Sequence, residues 1–377
     1  MSSNQYTYKY LIEKTKQEAR LSFSEFMEFA LYHKEYGYYN KKEKIFAKEG
    51  DFTTSPITST LFGECICQEF INISKYLESP SVIEIGGGDA SLAISMLEYL
   101  QNQNCLPTEY IIIETSDKLV KIQEHNIKDK IPNLLNLVKW KKNISDTSIE
   151  GLVIANEFFD ALPSERFKFN GKDFLTLYVE EKNNVLQNTW DIITSEQKKE
   201  LDIAIGNPRR IFPKNYTSEF NMNYRKWISL IDKTLNKGLV LIIDYGYNSF
   251  EYYLDDRKTG TLVCNHKHNA NFDPFEKIGE QDISTFVNFS HISRILKDKN
   301  LNVSGYLTQS NFLLNLGILE IFQKKEFNGD KREFELNKLK NILLPNTMGE
   351  IFKALILKKD FNENLLCIEK FNHLGKL

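Results

Sequence analysis

Cysteine, net charge and long apolar runs are what this chain has least of. Its 377 residues include five cysteines, Cys65, Cys67, Cys105, Cys264 and Cys367. The number is odd and no C-x-x-C pair occurs, which speaks for reduced, structural thiols and against a disulfide framework or a cysteine-held zinc site. His266 and His268 form an H-x-H pair without a carboxylate or cysteine at ligand spacing, so no metal is expected. The formal net charge is −3 and the pI near 6.2. With no basic stripe interleaved with aromatics, nothing attracts a phosphate backbone, and nucleic acid is not expected as a partner. No apolar run reaches the roughly 20 residues of a membrane helix. Met1 to Lys16 is polar and tyrosine-rich, without an apolar h-region or an Arg-rich presequence, and a cytoplasmic protein without membrane insertion is expected.

What the chain does have is a full apolar complement. At 41% hydrophobic and 26% charged residues it can bury a large core and carry more than one domain or a large insertion. Residues 82–92, Val-Ile-Glu-Ile-Gly-Gly-Gly-Asp-Ala-Ser-Leu, are the most informative segment. A short apolar run ends in Glu84 and three glycines, then enters the helical pattern 92–97. Such a strand, tight turn and helix brings backbone close to a nucleotide-type ligand. A strict G-x-G-x-x-G is absent, since Gly86 and Gly88 are followed by Ala90 and Ser91. A plain glycine turn that packs a helix on a sheet therefore stays open, as does a dinucleotide-dependent oxidoreductase. The run Tyr110-Ile111-Ile112-Ile113-Glu114 adds a second strand ending in a carboxylate. In a doubly wound sheet Glu114 falls beside the glycine turn and accepts hydrogen bonds from ribose hydroxyls.

Alternating strands and helices from Val82 predict a parallel sheet with strands near 82–85, 110–114, 134–139, 152–156 and 239–244, completed by 301–308 and 352–358. Helical periodicity is expected over 7–36, with Ser22 or Ser24 as a cap, and over 62–76, 195–204, 216–236, 289–299, 310–324 and 330–342. Arg166 to Phe169, the turn Asn170-Gly171-Lys172-Asp173, Phe174 to Glu180 and Val185 to Ile193 read as an antiparallel meander interrupting the sheet. The expected segments are a helical N-terminal region and lid (1–78), the first part of the sheet domain (79–164), an inserted meander and helix cap (165–215), and the remainder (216–377). The last includes a long aperiodic substrate-side loop over 247–288.

In open α/β sheets ligands bind beyond the carboxyl ends of the strands. The fourth strand delivers Asn156-Glu157-Phe158-Phe159-Asp160 there, with amide and carboxylate groups set against apolar neighbours. Asn156 and Asp160 can be simple caps, or a carboxylate in such surroundings can bind a cation or take a proton. Methyl transfer from a sulfonium suits such a site, because it needs an aligned nucleophile and a desolvated pocket more than covalent help from the enzyme.

These residues resemble the MidA family of class I S-adenosylmethionine-dependent methyltransferases, whose mitochondrial members are protein arginine methyltransferases needed for respiratory complex I assembly. The motifs carrying the resemblance are Gly37-Tyr38-Tyr39, Gly50-Asp51-Phe52-Thr53-Thr54-Ser55-Pro56, Phe62-Gly63, Glu84-Ile85-Gly86-Gly87-Gly88, Ile113-Glu114-Thr115-Ser116 and 155–163. They continue through Asp244-Tyr245-Gly246, Gly260-Thr261-Leu262, His268, Gly279 to Ile283, Thr308-Gln309, Phe312-Leu313, Met348-Gly349 and Phe352-Lys353.

The resemblance implies a Rossmann-like sheet with a helical N-terminal layer and an inserted smaller α+β substrate-facing domain, and S-adenosyl-L-methionine as cofactor. Gly86 and Gly88 would face its methionine part, Glu84 would anchor the turn and Glu114 would hold the ribose. Asp51, Thr54 and Ser55 would form a lid. On an arginine substrate Glu157 would accept the guanidinium, with Asn156, Asp160 and Asp282 as further candidates and His268 as a proton acceptor or, preferably, a loop clasp. The implied partner is a protein, a complex I subunit by family; an assembly or chaperone-like protein with a cofactor pocket and a small-molecule methyltransferase are the alternatives. A homodimer is one option for the oligomeric state. The chain departs from the family pattern at Ala90, where a glycine is usual, at Ile57, where a glutamate is, and at Asn288, where an aspartate is. The last two would weaken substrate binding.

Overall fold

The apolar runs read as strands build one sheet. Its strands, labelled here β1 (Pro80–Ile85), β2 (Tyr110–Ile113), β3 (Val138–Lys141), β4 (Ile149–Asn156), β5 (Leu235–Tyr247), β6 (Asn302–Thr308) and β7 (Phe352–Lys359), lie in the order β6-β7-β5-β4-β1-β2-β3. Strands β1 to β5 pair parallel, and β7 runs antiparallel to both of its neighbours. Val82, Tyr110, Ile112, Leu152, Ile154, Leu239 and Leu241 enter one core with the helices α1 (Thr60–Ser74) and α2 (Ser91–Asn102). The alternate residues Ile83, Ile111, Val153, Val240 and Ile242 are equally buried. A parallel sheet covered on both faces needs such unbroken apolar runs in place of alternation.

The computed structural model describes residues 3–41, 55–207, 209–267, 269–327 and 329–377. Its contacts gather the chain into two units, whose limits differ from the four expected segments. The sheet unit takes Thr53–Phe159, Ile228–Gly246 and Leu296–Leu377, and the other takes Met1–Phe52, Asp160–Trp227 and Tyr247–Ile295.

In the second unit the meander forms as expected. Glu165–Phe169 pairs with Phe174–Lys182, which pairs with Val185–Ile192. The Asn170 side chain closes the first turn, its Oδ1 accepting from the amides of Lys172 and Asp173 at 2.8 Å each. Its core is aromatic: Phe167, Phe212, Tyr216, Phe220, Tyr252 and Tyr253 pack together with Leu201 and Ile205. Helix Phe23–Tyr32 is capped by Ser22 in a full capping box with Glu25, which satisfies two of the free amides at its start.

Three expected elements are corrected. The helix expected over 216–236 is a strand, Tyr216–Phe220, followed by the helix Asn223–Thr234; residues 216–220 pair in register with Glu165–Phe169, and tertiary pairing overrides the local pattern. The third strand starts later than expected, because Pro132 opens a 3-10 turn that consumes Pro132–Leu137. Residues 247–288 are not an aperiodic loop. They hold the short helix Ser249–Tyr252 and the strands Val263–His266, Asn269–Asn271 and Asp282–Ser284, which form a small sheet of their own. Strands this short and polar leave no usable period-2 signal. The Gly260-Thr261 motif in this stretch is a clasp: Thr261 donates from its amide to the buried Glu219 carboxylate at 2.7 Å, and Arg166 Nε reaches the same group at 3.2 Å.

Gly151 sets how closely β4 approaches β1. Its φ is +143°, and a Cβ there would lie 1.9 Å from the Ser81 carbonyl oxygen. Gly151→Ala is expected to lower stability by about 3 kcal/mol, from backbone strain plus overpacking against a rigid strand. A urea denaturation midpoint within error of wild type would disprove this account of the sheet.

Candidate active site

The carboxyl ends of β1, β2 and β4 lie side by side, since β1 pairs with both β2 and β4. At the end of β1 the turn is built from left-handed backbone, with Gly86 at φ +77° and Gly88 at φ +52°. The Gly86 amide donates to the Ile113 carbonyl at 3.0 Å, tying the bend to the end of β2. A Cβ at Gly87 would meet Ile112 Cγ2 at 2.6 Å, and one at Gly86 would stand 3.3 Å from the Phe158 ring. The bend therefore stays bare backbone.

Helix α3 (Asp117–Lys130) locks the bend from outside. Gln123 Nε2 donates to the Gly88 carbonyl at 3.0 Å and to Glu114 Oε2 at 3.3 Å, while Asn126 Nδ2 donates to the Asp89 carbonyl at 2.9 Å. Spacings of three residues put both amides on one helix face. Trp140 Nε1 in turn donates to Gln123 Oε1 at 2.9 Å. Glu114 is buried, and its Oε1 accepts from the Ser116 amide at 2.9 Å. Burial raises its carboxyl above the usual range, against these hydrogen bonds. The expected meeting of Gly86, Gly88 and Glu114 is thus observed, and it depends on a glutamine that carried no local signal in the sequence.

Glu84 lies on the neighbouring face of β1, buried, and accepts from the Tyr110 hydroxyl at 2.7 Å. Burial pushes its carboxyl up to about 8, with the charges of Asp89 and Glu114 adding and the tyrosine opposing.

At the end of β4, Glu157 has a φ of +50°, a conformation that glycine favours and glutamate resists. Its amide donates to the Ile243 carbonyl of β5 at 2.8 Å. Its Oε1 accepts from the Ser55 amide at 3.2 Å and from Asn156 Nδ2 at 3.3 Å. The Asn156 Oδ1 is buried with no hydrogen-bond partner among the described residues. Asp244, at the end of β5, holds the next turn by accepting from the Phe159 amide at 3.0 Å and its own neighbour Tyr245 at 2.9 Å.

Asp160 and Asp282 belong to the second unit. Both are buried, and Asp282 accepts from the Tyr39 hydroxyl at 3.1 Å and the Ser284 hydroxyl at 2.9 Å. Burial, then the Asp160 charge, pushes Asp282 up to about 7. Asp51, Thr54 and His268 lie outside the described residues, as does the Ile57 side chain. The structure gives Asn288 a different part from the one expected. It is buried and structural, accepting from the His291 amide at 3.0 Å at the start of Phe289–Ile295 and from the Ser249 hydroxyl at 3.0 Å, while donating to the Ala204 carbonyl at 3.2 Å. An aspartate could not donate that last bond, so the amide answers its own surroundings. The cysteines are free; burial raises the Cys65, Cys67, Cys264 and Cys367 thiols, which makes them poor nucleophiles. No group of metal-ligating side chains occurs among the described residues, and no helix there is long and apolar enough to cross a membrane.

The strand order with its antiparallel β7, and an acidic glycine bend facing a second strand-end carboxylate, define a Rossmann-like methyltransferase of class I. A family described as "Putative S-adenosyl-L-methionine-dependent methyltransferase" matches residues 61–307, and the chain belongs to it. Among curated proteins it is similar to "Protein arginine methyltransferase NDUFAF7 homolog, mitochondrial" of Caenorhabditis elegans, 27% identical over 93% of this chain and 85% of that protein. The human protein arginine methyltransferase NDUFAF7 is 24% identical over 93% of this chain and 82% of its own. Among solved structures it shares its fold with a Burkholderia thailandensis protein bound to S-adenosyl-homocysteine, with a TM-score of 0.93 and 24% identity over 100% of this chain and 97% of that one.

The cofactor is S-adenosyl-L-methionine, and the residues fit it. The bend at 86–88 stays bare backbone, because a Cβ at Gly87 would strike Ile112 at 2.6 Å, and bare backbone is what lets a ligand approach. The Glu114 carboxylate keeps acceptor capacity beyond the two bonds it takes from Ser116 and Gln123.

Two outcomes follow. Glu84 has a folded-state pKa raised far above its unfolded value, so its contribution to stability is complete below about pH 4.5 and is lost as pH rises through about 8. Glu84→Gln should flatten the fall in denaturation midpoint between pH 5 and 8; an unchanged slope would show that Glu84 is not the titrating group. Glu157→Gly relieves a left-handed glutamate worth about 1 kcal/mol and should leave the chain as stable as wild type or more so, while methyl transfer is lost. A drop in thermal midpoint would mean that Glu157 serves the fold.

Proposed function

We propose that this methyltransferase acts on an arginine side chain of a protein. The observation that carries the proposal is Glu157, a carboxylate kept in a strained backbone conformation and aimed by Ser55 and Asn156 at the end of β4. Strain at a chemically active side chain is retained when function needs the side chain there. Bound S-adenosyl-L-methionine supplies an electrophilic methyl group on a sulfonium. Gly86 and Gly88 face its methionine part, Glu84 anchors the bend and Glu114 holds the ribose.

A guanidinium is planar, stays protonated in water and presents a fork of donors that a carboxylate matches. Glu157 accepts from this fork, orients the nitrogen and favours its nucleophilic form. The buried Asn156 Oδ1, unpartnered among the described residues, is a second acceptor for the same group. Asp160 stays in the proposed catalytic set as the second carboxylate. The names of the curated relatives support an arginine acceptor, and family resemblance supports a respiratory complex I subunit as the protein that carries it. The roles of Asp51, Thr54, Ser55 as a lid and of His268 rest on resemblance alone. Free, buried thiols suit a reducing compartment, and the cytoplasm is the one proposed.

The test pairs binding with chemistry. Gly86→Val places a branched side chain at φ +77° beside Phe158 and should weaken S-adenosyl-homocysteine binding in calorimetry by about 100-fold or more. Glu157→Gln should bind it within about threefold of wild type and transfer methyl groups about 100-fold or more slowly. Proteome-wide mass spectrometry of cells with and without the chain identifies the acceptor. Unchanged methylarginine beside an altered metabolite would replace the arginine acceptor with a small molecule.

A further inference from the structure

We infer that Gln309 is a positioning residue for Glu157, acting through Ser55; this rests on the part given to Glu157 above. Gln309 stands at the head of the helix Gln309–Asn315, directly after β6, and is fully buried. A buried glutamine has to satisfy both ends of its amide. Its Nε2 donates to the Ile342 carbonyl at 3.0 Å, near the end of the helix Asp330–Leu343. A carbonyl only accepts, so this bond fixes which way the amide lies, and the Oε1 is turned toward Ser55. The Ser55 hydroxyl, also fully buried, donates to that oxygen at 3.0 Å.

With its hydroxyl proton committed, Ser55 has one placement, and its backbone amide then meets Glu157 Oε1 at 3.2 Å. The other end of Glu157 is held by β5, through the bond from its amide to Ile243. The result is one chain of donors and acceptors, Ile342 to Gln309 to Ser55 to Glu157, that spans residues far apart in sequence and ends on the carboxylate. Met348 Sδ, 3.8 Å from the Ser55 hydroxyl, is the weak acceptor left if Gln309 is removed. Leucine at 309 keeps the bulk but can neither accept from Ser55 nor donate to Ile342. Its effect should therefore fall on the placement of Glu157 and spare the glycine bend at β1.

The experiment is a double-mutant cycle on the full chain with Gln309→Leu, Ser55→Ala and both together. In the presence of S-adenosyl-homocysteine, the Ser55, Ile57 and Thr58 amides should exchange hydrogen about tenfold faster in Gln309→Leu than in wild type. Affinity for S-adenosyl-homocysteine should stay within about threefold in Gln309→Leu. Methyl transfer to an arginine peptide should fall about tenfold in kcat for each single variant, with the double variant no slower than the worse single, because both remove the same chain. Unchanged exchange at these three amides, multiplying losses in the double variant, or a parallel loss of S-adenosyl-homocysteine affinity in Gln309→Leu would each overturn the assignment. If Gln309→Leu does not fold, Ser55→Ala alone carries the exchange and kcat measurements. A wild-type chain that binds S-adenosyl-homocysteine yet methylates no arginine peptide would sink the arginine acceptor, and exchange at the Ser55 amide would still decide whether Gln309 holds Ser55.

Discussion

The Gln123 amide is the bond on which the cofactor end of the molecule depends. It joins the Gly88 carbonyl to the Glu114 carboxylate, at 3.0 and 3.3 Å, and is itself held by the Trp140 indole. Gly88 follows β1, Glu114 follows β2 and Trp140 lies on β3. One side chain therefore keeps the turn, the acid and the edge of the sheet in fixed relation. Buried polar groups of this kind are strong only when every partner is present. Losing the glutamine would leave a raised carboxylate, a backbone carbonyl and an indole N–H all short of a partner.

The end of β4 is organised on a different basis. There the backbone of Glu157 is strained, and tertiary hydrogen bonds hold it: Ile243 on the amide, Ser55 and Asn156 on the carboxylate. In the proposed role of Glu157 stability and chemistry pull apart, since glycine would suit the backbone and an acid suits the proposed cationic acceptor. The two sites share a sheet edge and, on the proposed reading, divide the work, one offering bare backbone to the cofactor's methionine part and the other a placed charge.

The sequence revealed the parts whose signals are local. Runs such as Tyr110 to Ile113, the glycine bend, the Asn-Gly turn and the Ser22 cap each state their structure within a few residues. Residues whose meaning comes from distant partners stayed hidden. Gln123 looks like an ordinary helix polar position, and Gln309, although part of the Thr308-Gln309 motif, has no neighbour that announces its bond to Ser55. Tyr216–Phe220 passed for helix because its strand pairing is with Glu165–Phe169, some 50 positions earlier. The demand for glycine at 151 likewise comes from a distant partner, the Ser81 carbonyl that fills the space beside it.

Ala90 shows how a departure from the family pattern can be read once the backbone is known. It precedes α2 at φ +70° with no side-chain cap, a place where glycine would be free and alanine costs about 1 kcal/mol. Its methyl group is fully buried in the core formed with Leu92, Ala93 and Phe62, and burial of one methyl returns a similar amount, about 0.8 kcal/mol. The two effects nearly cancel. The bend can therefore carry alanine at its far end, where the chain has already turned into the helix, but not at Gly87, where a Cβ would strike Ile112. Tolerance along this motif follows from what stands opposite each position and owes little to its place in the glycine pattern.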